Sequence, residues 1–332
     1  MKTMAWIGCG LGAWMVAVAS SAQTGNPGGA INDRLGDPDY GVCRGLDPAC
    51  YHAWVRPKAT EYRALLYTRT AGPRHADLGA PLPAGLNPPL AENNVVQREM
   101  VRLAAENGFA LDYTEDVTQL TRLSAYQAVI FFSTSRENLD DSGKTALRQF
   151  LRAGGGFVGI HNAFGTLYNW PYYEGLLGNA NYYDHGPERQ ADVVMVNKKD
   201  VSTRGLPSRW HFTDEWYNLI PFPTRVRFLA TVDEKSYGAA VARQGGPPPG
   251  APPAAPQFGR QVSAIGANPG HGSFHPVAWC QYYDGGKSWV TTLGHDAGDF
   301  ANDNAKYPGS VEFRKLIVGG IRSAMGMEPF CQ

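Results

Sequence analysis

Between residues 61 and 161, short apolar runs alternate with longer segments whose apolar residues recur at helical spacing. The apolar runs predict strands at EYRALLYTRT (61–70), FALDYTED (109–116), AVIFFST (128–134) and GFVGIH (156–161). The intervening segments predict helices over 91–108 and 140–155, and each helix ends in glycine. Because strands that are apolar on both faces alternate with helices, we predict an α/β fold with a doubly wound, mostly parallel sheet and helices on both faces.

The second half of the chain has a less regular pattern. The runs ADVVMVN (191–197) and RVRFLATVD (225–233) predict strands, separated by a segment rich in polar and aromatic residues. The segment 276–295 predicts a C-terminal β-hairpin that turns at Asp284-Gly285-Gly286, and a last helix is predicted over about 310–325. Residues 243–259 are rich in proline and glycine, which predicts an exposed insertion loop.

The N-terminal pattern is typical of an export signal. Lys2 precedes an apolar run from Met4 to Val18, and small residues up to Ala22 offer a cleavage site. The alternative is a membrane anchor, but the run is short for a bilayer span of roughly 20 residues. We therefore predict a signal peptide over 1–22, an irregular N-terminal extension over 23–58, and an α/β domain over 59–330. The mature protein is expected to be periplasmic or secreted, without a membrane contact.

Cysteine usage agrees with export. Of the five cysteines, four remain after signal removal, and an even number in an exported protein favours disulfides. Cys43 and Cys50 flank a turn-rich segment that could bring them together, which leaves Cys280 to pair with Cys331 and tie the C-terminal tail to a strand. The alternative is four free thiols.

Composition and charge limit the classes of molecule that the protein is expected to bind. The 332 residues are 43% apolar, and 30 basic residues balance 30 acidic ones, so the formal net charge is zero. No long basic run is present, which argues against nucleic acid and favours a small neutral substrate. The chain also contains no G-x-S-x-G motif, which argues against covalent acyl chemistry.

Several reactive side chains follow predicted strands. His161 and Asn162 end the fourth strand between glycines, Arg74 and His75 follow the first strand, and His295 ends the hairpin. Ligands bind beyond the carboxyl ends of strands in open α/β sheets, so we expect these residues at one edge. If His161 were only a turn residue, replacement by asparagine would be nearly silent, because asparagine tolerates left-handed turns.

A second group of candidates lies in the irregular region. Asp214 and Glu215 are adjacent carboxylates among aromatic residues, an environment that can tune an acid or base and can also pack against a sugar. The alternative is an ordinary solvated acidic pair. His185 also follows an acidic residue. Histidines with carboxylates can hold a divalent metal, for example through His75, His161 and His295, but no compact ligand motif is present and the ligands stay unknown.

From about residue 63 to 326 the chain resembles the ThuA-like (trehalose utilisation) family of the class I glutamine amidotransferase-like superfamily. The matching pieces follow the family's order and are Arg74-His75, GGGFVGIH (154–161), PYYEGLLG (171–178), His185, DEWY (214–217), PVAW (276–279) and Leu293-Gly294-His295. The resemblance implies a flavodoxin-like fold and a role in carbohydrate utilisation. His161 stands where glutamine amidotransferases carry a catalytic cysteine, so glutaminase activity is not expected.

The resulting hypothesis is an exported enzyme that performs acid–base chemistry on a neutral keto-sugar or glycoside, by isomerisation, epimerisation or elimination. It would need no cofactor, or would be assisted by a divalent metal. The expected catalytic residues are His161, Glu215, Asp214 and His295. The expected substrate-binding residues are Arg74, His75, Asn162, Trp170, His185, Trp216 and Tyr217. The alternative is a non-catalytic carbohydrate-binding module.

Overall fold

The computed structural model describes residues 42–54, 61–241 and 268–332. The predicted signal peptide (1–22), residues 23–41 and 55–58 of the predicted extension, and the Pro/Gly-rich loop (243–259) lie outside these ranges.

The described chain forms a mixed sheet with helices. Its strands are β1 (Arg44–Gly45), β2 (Arg63–Tyr67), β3 (Ala110–Thr114), β4 (Ala128–Phe132), β5 (Gly156–Ile160), β6 (Tyr182–His185), β7 (Arg189–Met195), β8 (Arg209–Asp214), β9 (Tyr217–Leu219), β10 (Arg227–Asp233), β11 (His275–Tyr283) and β12 (Gly286–Thr291). Its α-helices are α1 (Val95–Glu106), α2 (Asp141–Arg152), α3 (Pro171–Leu176), α4 (Val201–Arg204) and α5 (Ser310–Met325).

The parallel half of the sheet has the order β3-β2-β4-β5-β12. Neighbouring residues of one strand point to opposite faces, so Leu65 and Leu66 of β2 belong to two different apolar clusters. Residues of α1 and α5 pack in the cluster with Leu66, and residues of α2 and α3 pack in the cluster with Leu65. Helices therefore cover both faces, as the α/β prediction requires.

The sheet continues beyond β12 through β11, β10, β7 and β8, and each of these pairs is antiparallel. The hairpin prediction is confirmed by β11 and β12. Strands β1, β6, β8 and β9 were not predicted. In β8 every second residue, Arg209 and His211, is exposed, and Trp210 and Phe212 between them are buried. This half-buried alternation gives a weaker signal than the fully apolar runs of the parallel half.

Both predicted disulfides are present. Cys43 bonds Cys50 and Cys280 bonds Cys331, with Cα–Cα separations of 5.3 and 5.7 Å. Around the first disulfide, β1 pairs with β11, so this part of the predicted extension belongs to the main sheet. Two disulfides indicate an oxidising, extracellular environment. Within the described ranges, no helix is long and apolar enough to cross a membrane.

Candidate functional site

Four strands that run in the same direction deliver the central residues of the site. His161 follows β5 directly, Glu215 follows β8, His75 comes after β2, and His295 comes after β12. Strand β8 runs in the direction of the parallel strands, because the antiparallel pairings from β12 to β8 reverse direction an even number of times. The edge of the sheet at which the parallel strands end therefore also receives a residue, Glu215, from the antiparallel half.

These four residues form one compact group, which we call the histidine cluster: His75, His161, His295 and Glu215. One nitrogen or oxygen atom from each lies within 4.8 Å of the others. His161 Nε2 lies 3.1 Å from His75 Nε2 and 3.3 Å from His295 Nδ1. His295 Nδ1 lies 3.2 Å from Glu215 Oε2.

The backbone at His161 explains how its side chain reaches this point. His161 has a φ of 51°, in the left-handed region that few side-chain-bearing residues adopt, so the chain turns sharply at the end of β5. Its Nδ1 lies 2.9 Å from the carbonyl oxygen of Thr292. Because a carbonyl only accepts, Nδ1 carries the proton and Nε2 presents its lone pair to the cluster. The Tyr217 hydroxyl lies 2.9 Å from the same Nε2.

The four side chains of the cluster differ in their protonation. Burial would lower the pKa of His295, but the hydrogen bond and charge of Glu215 raise it to about 9. Burial would raise the pKa of Glu215, but the hydrogen bond and charge of His295 hold it well below its usual range. Burial lowers the pKa of His75 to about 4, and burial also lowers that of His161, with His75 and His295 adding to the effect. At neutral pH an ionised pair therefore adjoins two neutral imidazoles.

Asp214 lies beneath the cluster. It is fully buried and accepts hydrogen bonds from the backbone N–H groups of Glu215 (2.7 Å) and Gly294 (2.8 Å). Burial raises its pKa well above the ordinary value. These bonds hold the backbone next to His295 and at Glu215.

A cleft of about 1180 Å³ opens above the cluster. Three cluster residues, His75, Glu215 and His295, line it, whereas His161 is fully buried behind them. Its other lining residues are mostly polar and aromatic and include Arg136, Asn162, Tyr168, Tyr182, His185, Tyr217 and Tyr307.

His185 lies beside the cluster in this cleft. Its Nε2 is 3.5 Å from Glu215 Oε2, and its Nδ1 lies 2.7 Å from the carbonyl oxygen of Gly186. The proton therefore resides on Nδ1 of the neutral ring, and Nε2 can accept another one. The predicted residue Asn162 also lines the cleft.

Three other predicted residues have structural contacts. Arg74 lines the cleft, but its guanidinium donates hydrogen bonds to Glu115 at 2.8 Å and to nearby carbonyl groups. Trp216 is buried, donates to the carbonyl of Arg189 (2.9 Å) and stacks on Tyr237. Trp170 lines a separate cavity of about 450 Å³. The structure does not bring Trp170 and Trp216 into the cleft.

Sequence reasoning missed several lining residues. Asp77 is buried at the cleft, and burial raises its pKa to about 7. It lies two positions after His75, so the same strand-end rule could have identified it. Tyr168, Tyr182 and Arg136 have no such signal, because isolated aromatic and basic residues are common in any sequence.

Comparisons with known proteins agree with this architecture. Among curated proteins, none matches significantly. The solved structure of a ThuA-like protein from Bacteroides uniformis superposes with a TM-score of 0.53 at 20% identity, covering 82% of this chain and 94% of that chain. A ThuA-like protein from Parabacteroides merdae superposes with a TM-score of 0.54 at 15% identity, covering 81% and 91%. At these identities the likeness shows the fold.

A family model described as trehalose utilisation, ThuA, matches residues 63–323, which contain every residue of the histidine cluster. The match covers well over half of the sequence. The chain belongs to the ThuA family.

Proposed function

We propose that this protein is an exported carbohydrate-processing enzyme that moves a proton next to the carbonyl group of a neutral keto-sugar. The observation that carries the proposal is the contact in the wide cleft between His185 and Glu215, the carboxylate of the histidine cluster. The family description, trehalose utilisation, supports a sugar substrate. The two disulfides and the signal-like N-terminal pattern support export.

The cleft has the chemistry that a sugar needs. Tyr168, Tyr182 and Tyr307 supply aromatic rings that can pack on the apolar face of a pyranose, and Asn162 and Arg136 supply hydrogen-bond donors. A volume of about 1180 Å³ accommodates a ligand as large as a disaccharide.

A keto-sugar explains the catalytic groups. The C–H bond next to a carbonyl is acidic, because the electron pair that it leaves is delocalised onto the carbonyl oxygen. His185 Nε2 accepts the proton, and Glu215 stabilises the imidazolium that forms. The cluster stabilises the negative charge that develops on the oxygen.

The destination of the proton determines the product. Its return to the opposite face of the same carbon gives epimerisation, and its return to the former carbonyl carbon, after transfer between the two oxygens, gives isomerisation. Loss of a leaving group from the next carbon gives elimination. We expected His161 to exchange the proton. Because His161 is fully buried and His185 lines the cleft, we assign the proton transfer to His185 and a supporting role to His161.

Solvent exchange tests the proposal directly. Keto derivatives of glucose and trehalose are incubated with the protein in D₂O, and loss of the proton next to the carbonyl is followed by NMR. We expect exchange above the protein-free rate, and His185→Gln should slow it by about 10²–10⁴-fold. The matched control is His211→Gln, because His211 lies on the exposed side of β8.

Absence of exchange with every keto-sugar would contradict the proposal. Saturable sugar binding without exchange would instead support a non-catalytic binding module. Full exchange activity in His185→Gln would show that another group carries the proton.

A further inference from the structure

We propose that His75, His161, His295 and Glu215 together bind one divalent transition-metal ion of the class that prefers nitrogen ligands, such as Zn²⁺. The inference deepens the proposed function, because such an ion would polarise the sugar carbonyl at the same site. Metal binding, however, is measured without any substrate.

The first argument comes from hydrogen-bond capacity. A neutral imidazole nitrogen has a single lone pair and accepts one good hydrogen bond. Three polar atoms approach the lone pair of His161 Nε2, namely the Tyr217 hydroxyl at 2.9 Å, His75 Nε2 at 3.1 Å and His295 Nδ1 at 3.3 Å. His295 Nδ1 can bond Glu215 instead, at 3.2 Å, but the Tyr217 hydroxyl and His75 Nε2 still compete for this one lone pair. A cation at the centre removes the conflict, because each ring nitrogen can then direct its own lone pair to the ion.

The second argument comes from distance. Zinc binds histidine nitrogen at about 2.0–2.1 Å, and tetrahedral geometry then separates neighbouring ligand atoms by about 3.3 Å. In the structure, His161 Nε2 lies 3.1 Å from His75 Nε2 and 3.3 Å from His295 Nδ1. His295 Nδ1 lies 3.2 Å from Glu215 Oε2. Three of the six separations thus match those between ligands of one small ion, and the other three lie within 4.8 Å.

The third argument comes from the type of ligand. Three imidazoles and one carboxylate suit zinc and neighbouring transition metals, whereas magnesium and calcium prefer sites composed of oxygen. Hydrogen bonds from residues outside the cluster also hold the proposed ligands in place. The hydrogen bond from His161 Nδ1 to Thr292 fixes the tautomer that a metal ligand needs. Asp214 holds the backbone at Glu215 and next to His295.

The site is open on one side. His75, Glu215 and His295 line the cleft, so a ligand in the cleft can reach the centre that they surround. His161 closes the opposite side, where it is fully buried. Four protein ligands would fill a tetrahedral shell, so a substrate oxygen entering from the cleft would bind as a fifth ligand, an expansion that catalytic zinc sites allow.

The experiment uses untagged, disulfide-bonded protein that has been treated with a chelator. Zn²⁺ alone is titrated by calorimetry, and bound metal is counted by elemental analysis. Co²⁺ is added in a parallel sample, because its visible absorption reports four-coordinate nitrogen and oxygen ligation. We expect one metal ion per chain, competition between Zn²⁺ and Co²⁺, and a four-coordinate Co²⁺ spectrum.

Variants assign the ligands. Glu215→Gln, His295→Gln and His161→Asn should each weaken Zn²⁺ binding by roughly 100-fold or more, since even supporting residues of metal sites contribute 10–100-fold. Asparagine is chosen at His161 because it tolerates the left-handed backbone there. Circular dichroism verifies the fold, and any ligand variant that folds decides the question. The matched control, His211→Gln, should bind Zn²⁺ like the wild type.

Two results would overturn the metal proposal: wild-type protein that binds no stoichiometric Zn²⁺ or Co²⁺, or folded ligand variants that bind as tightly as the wild type.

His185→Gln separates this proposal from the proposed function, because it should keep the metal and lose proton exchange. Exchange by metal-free wild type would refute the metal role alone. Stoichiometric metal without exchange of any keto-sugar would refute the proposed function alone.

Discussion

At the scale of single residues, Asp112 shows how a polar side chain stabilises the edge of the sheet. This residue of β3 accepts hydrogen bonds from Asn87 (2.7 Å), Arg63 (2.8 Å) and Tyr126 (2.9 Å). Burial by itself would raise the pKa of Asp112, but the three hydrogen bonds and the charge of Arg63 lower it below the ordinary value. The ionised form of the Asp112 carboxyl group is therefore more stable in the folded protein than in the unfolded chain.

This difference predicts a pH-dependent stability. The contribution is fully present above the unfolded pKa of about 3.9 and is lost as the pH falls through the lower folded pKa. Asp112→Asn should lower the free energy of unfolding at pH 7, and its deficit should shrink as the pH falls below about 5. Urea unfolding of both proteins across this range measures the deficit. A deficit that stays constant with pH would contradict the assigned role of the charge.

Single residues also show what the sequence can reveal about the site. His75, His161 and His295 were predicted together because strand ends share one edge of a parallel sheet. Trp216 was expected to bind substrate because it adjoins Glu215, but its indole group packs in the core. Proximity in sequence does not determine on which side of the backbone a side chain lies. Asp214 was expected to be catalytic, and its buried hydrogen bonds to two backbone groups depend on contacts that no local pattern encodes.

At the scale of secondary structure, the parallel strands were predictable and part of the antiparallel half was not. Strands β4 and β5 are buried along their entire length, so their residues form continuous apolar runs in the sequence. Strand β9 has only three residues and pairs with β6 in a small separate sheet. Such a short element gives no periodicity to detect. Because Glu215 lies between β8 and β9, the least predictable region contributes one of the four cluster residues.

The packing of α5 on the sheet depends on two glycines in the helix interior. A methyl group at Gly320 would lie 2.3 Å from the Trp289 ring of β12, and one at Gly319 would lie 2.5 Å from the Ser202 backbone of α4. Alanine favours a helix over glycine by about 1 kcal/mol, so intrinsic propensity alone predicts that alanine would stabilise α5. Tight packing predicts the reverse.

We expect Gly320→Ala to lower the free energy of unfolding by about 1–3 kcal/mol, the usual cost of overpacking. The control is Gly205→Ala after α4, where an added methyl group meets no atom within 4 Å and φ is −90°. That variant should change stability by less than about 0.5 kcal/mol. Denaturant unfolding compares the two, and a stabilised Gly320→Ala would refute the close contact between α5 and Trp289.

At the scale of the whole molecule, the cluster joins residues from position 75 to position 295. His75 belongs to the first part of the parallel sheet, Glu215 follows the edge strand β8, and His295 follows the last strand. The site therefore exists only when both halves of the sheet have formed. For the same reason no short sequence motif could reveal it, because each of the four residues comes from a different segment of the chain.

The two disulfides constrain this assembly to different extents. The Cys43–Cys50 bond joins residues 7 positions apart, and the Cys280–Cys331 bond joins residues 51 positions apart. In the chain-entropy account these separations correspond to about 2.4 and about 4 kcal/mol of stabilisation. The longer link also attaches the C-terminal tail to β11, and Arg227 of the neighbouring strand β10 donates a hydrogen bond to the Cys331 carbonyl at 2.9 Å.

We therefore expect the double variant Cys280→Ala with Cys331→Ala to be less stable than the double variant Cys43→Ala with Cys50→Ala. The difference should be at least about 1.5 kcal/mol, since a longer closed loop restricts the unfolded chain more and both Cys280 and Cys331 are buried. Guanidinium unfolding of the two variants and the wild type measures it. Equal losses would show that loop length does not set the contribution of these disulfides. In that case the tail would be held on the sheet mainly by its packing and by the hydrogen bond from Arg227 of β10.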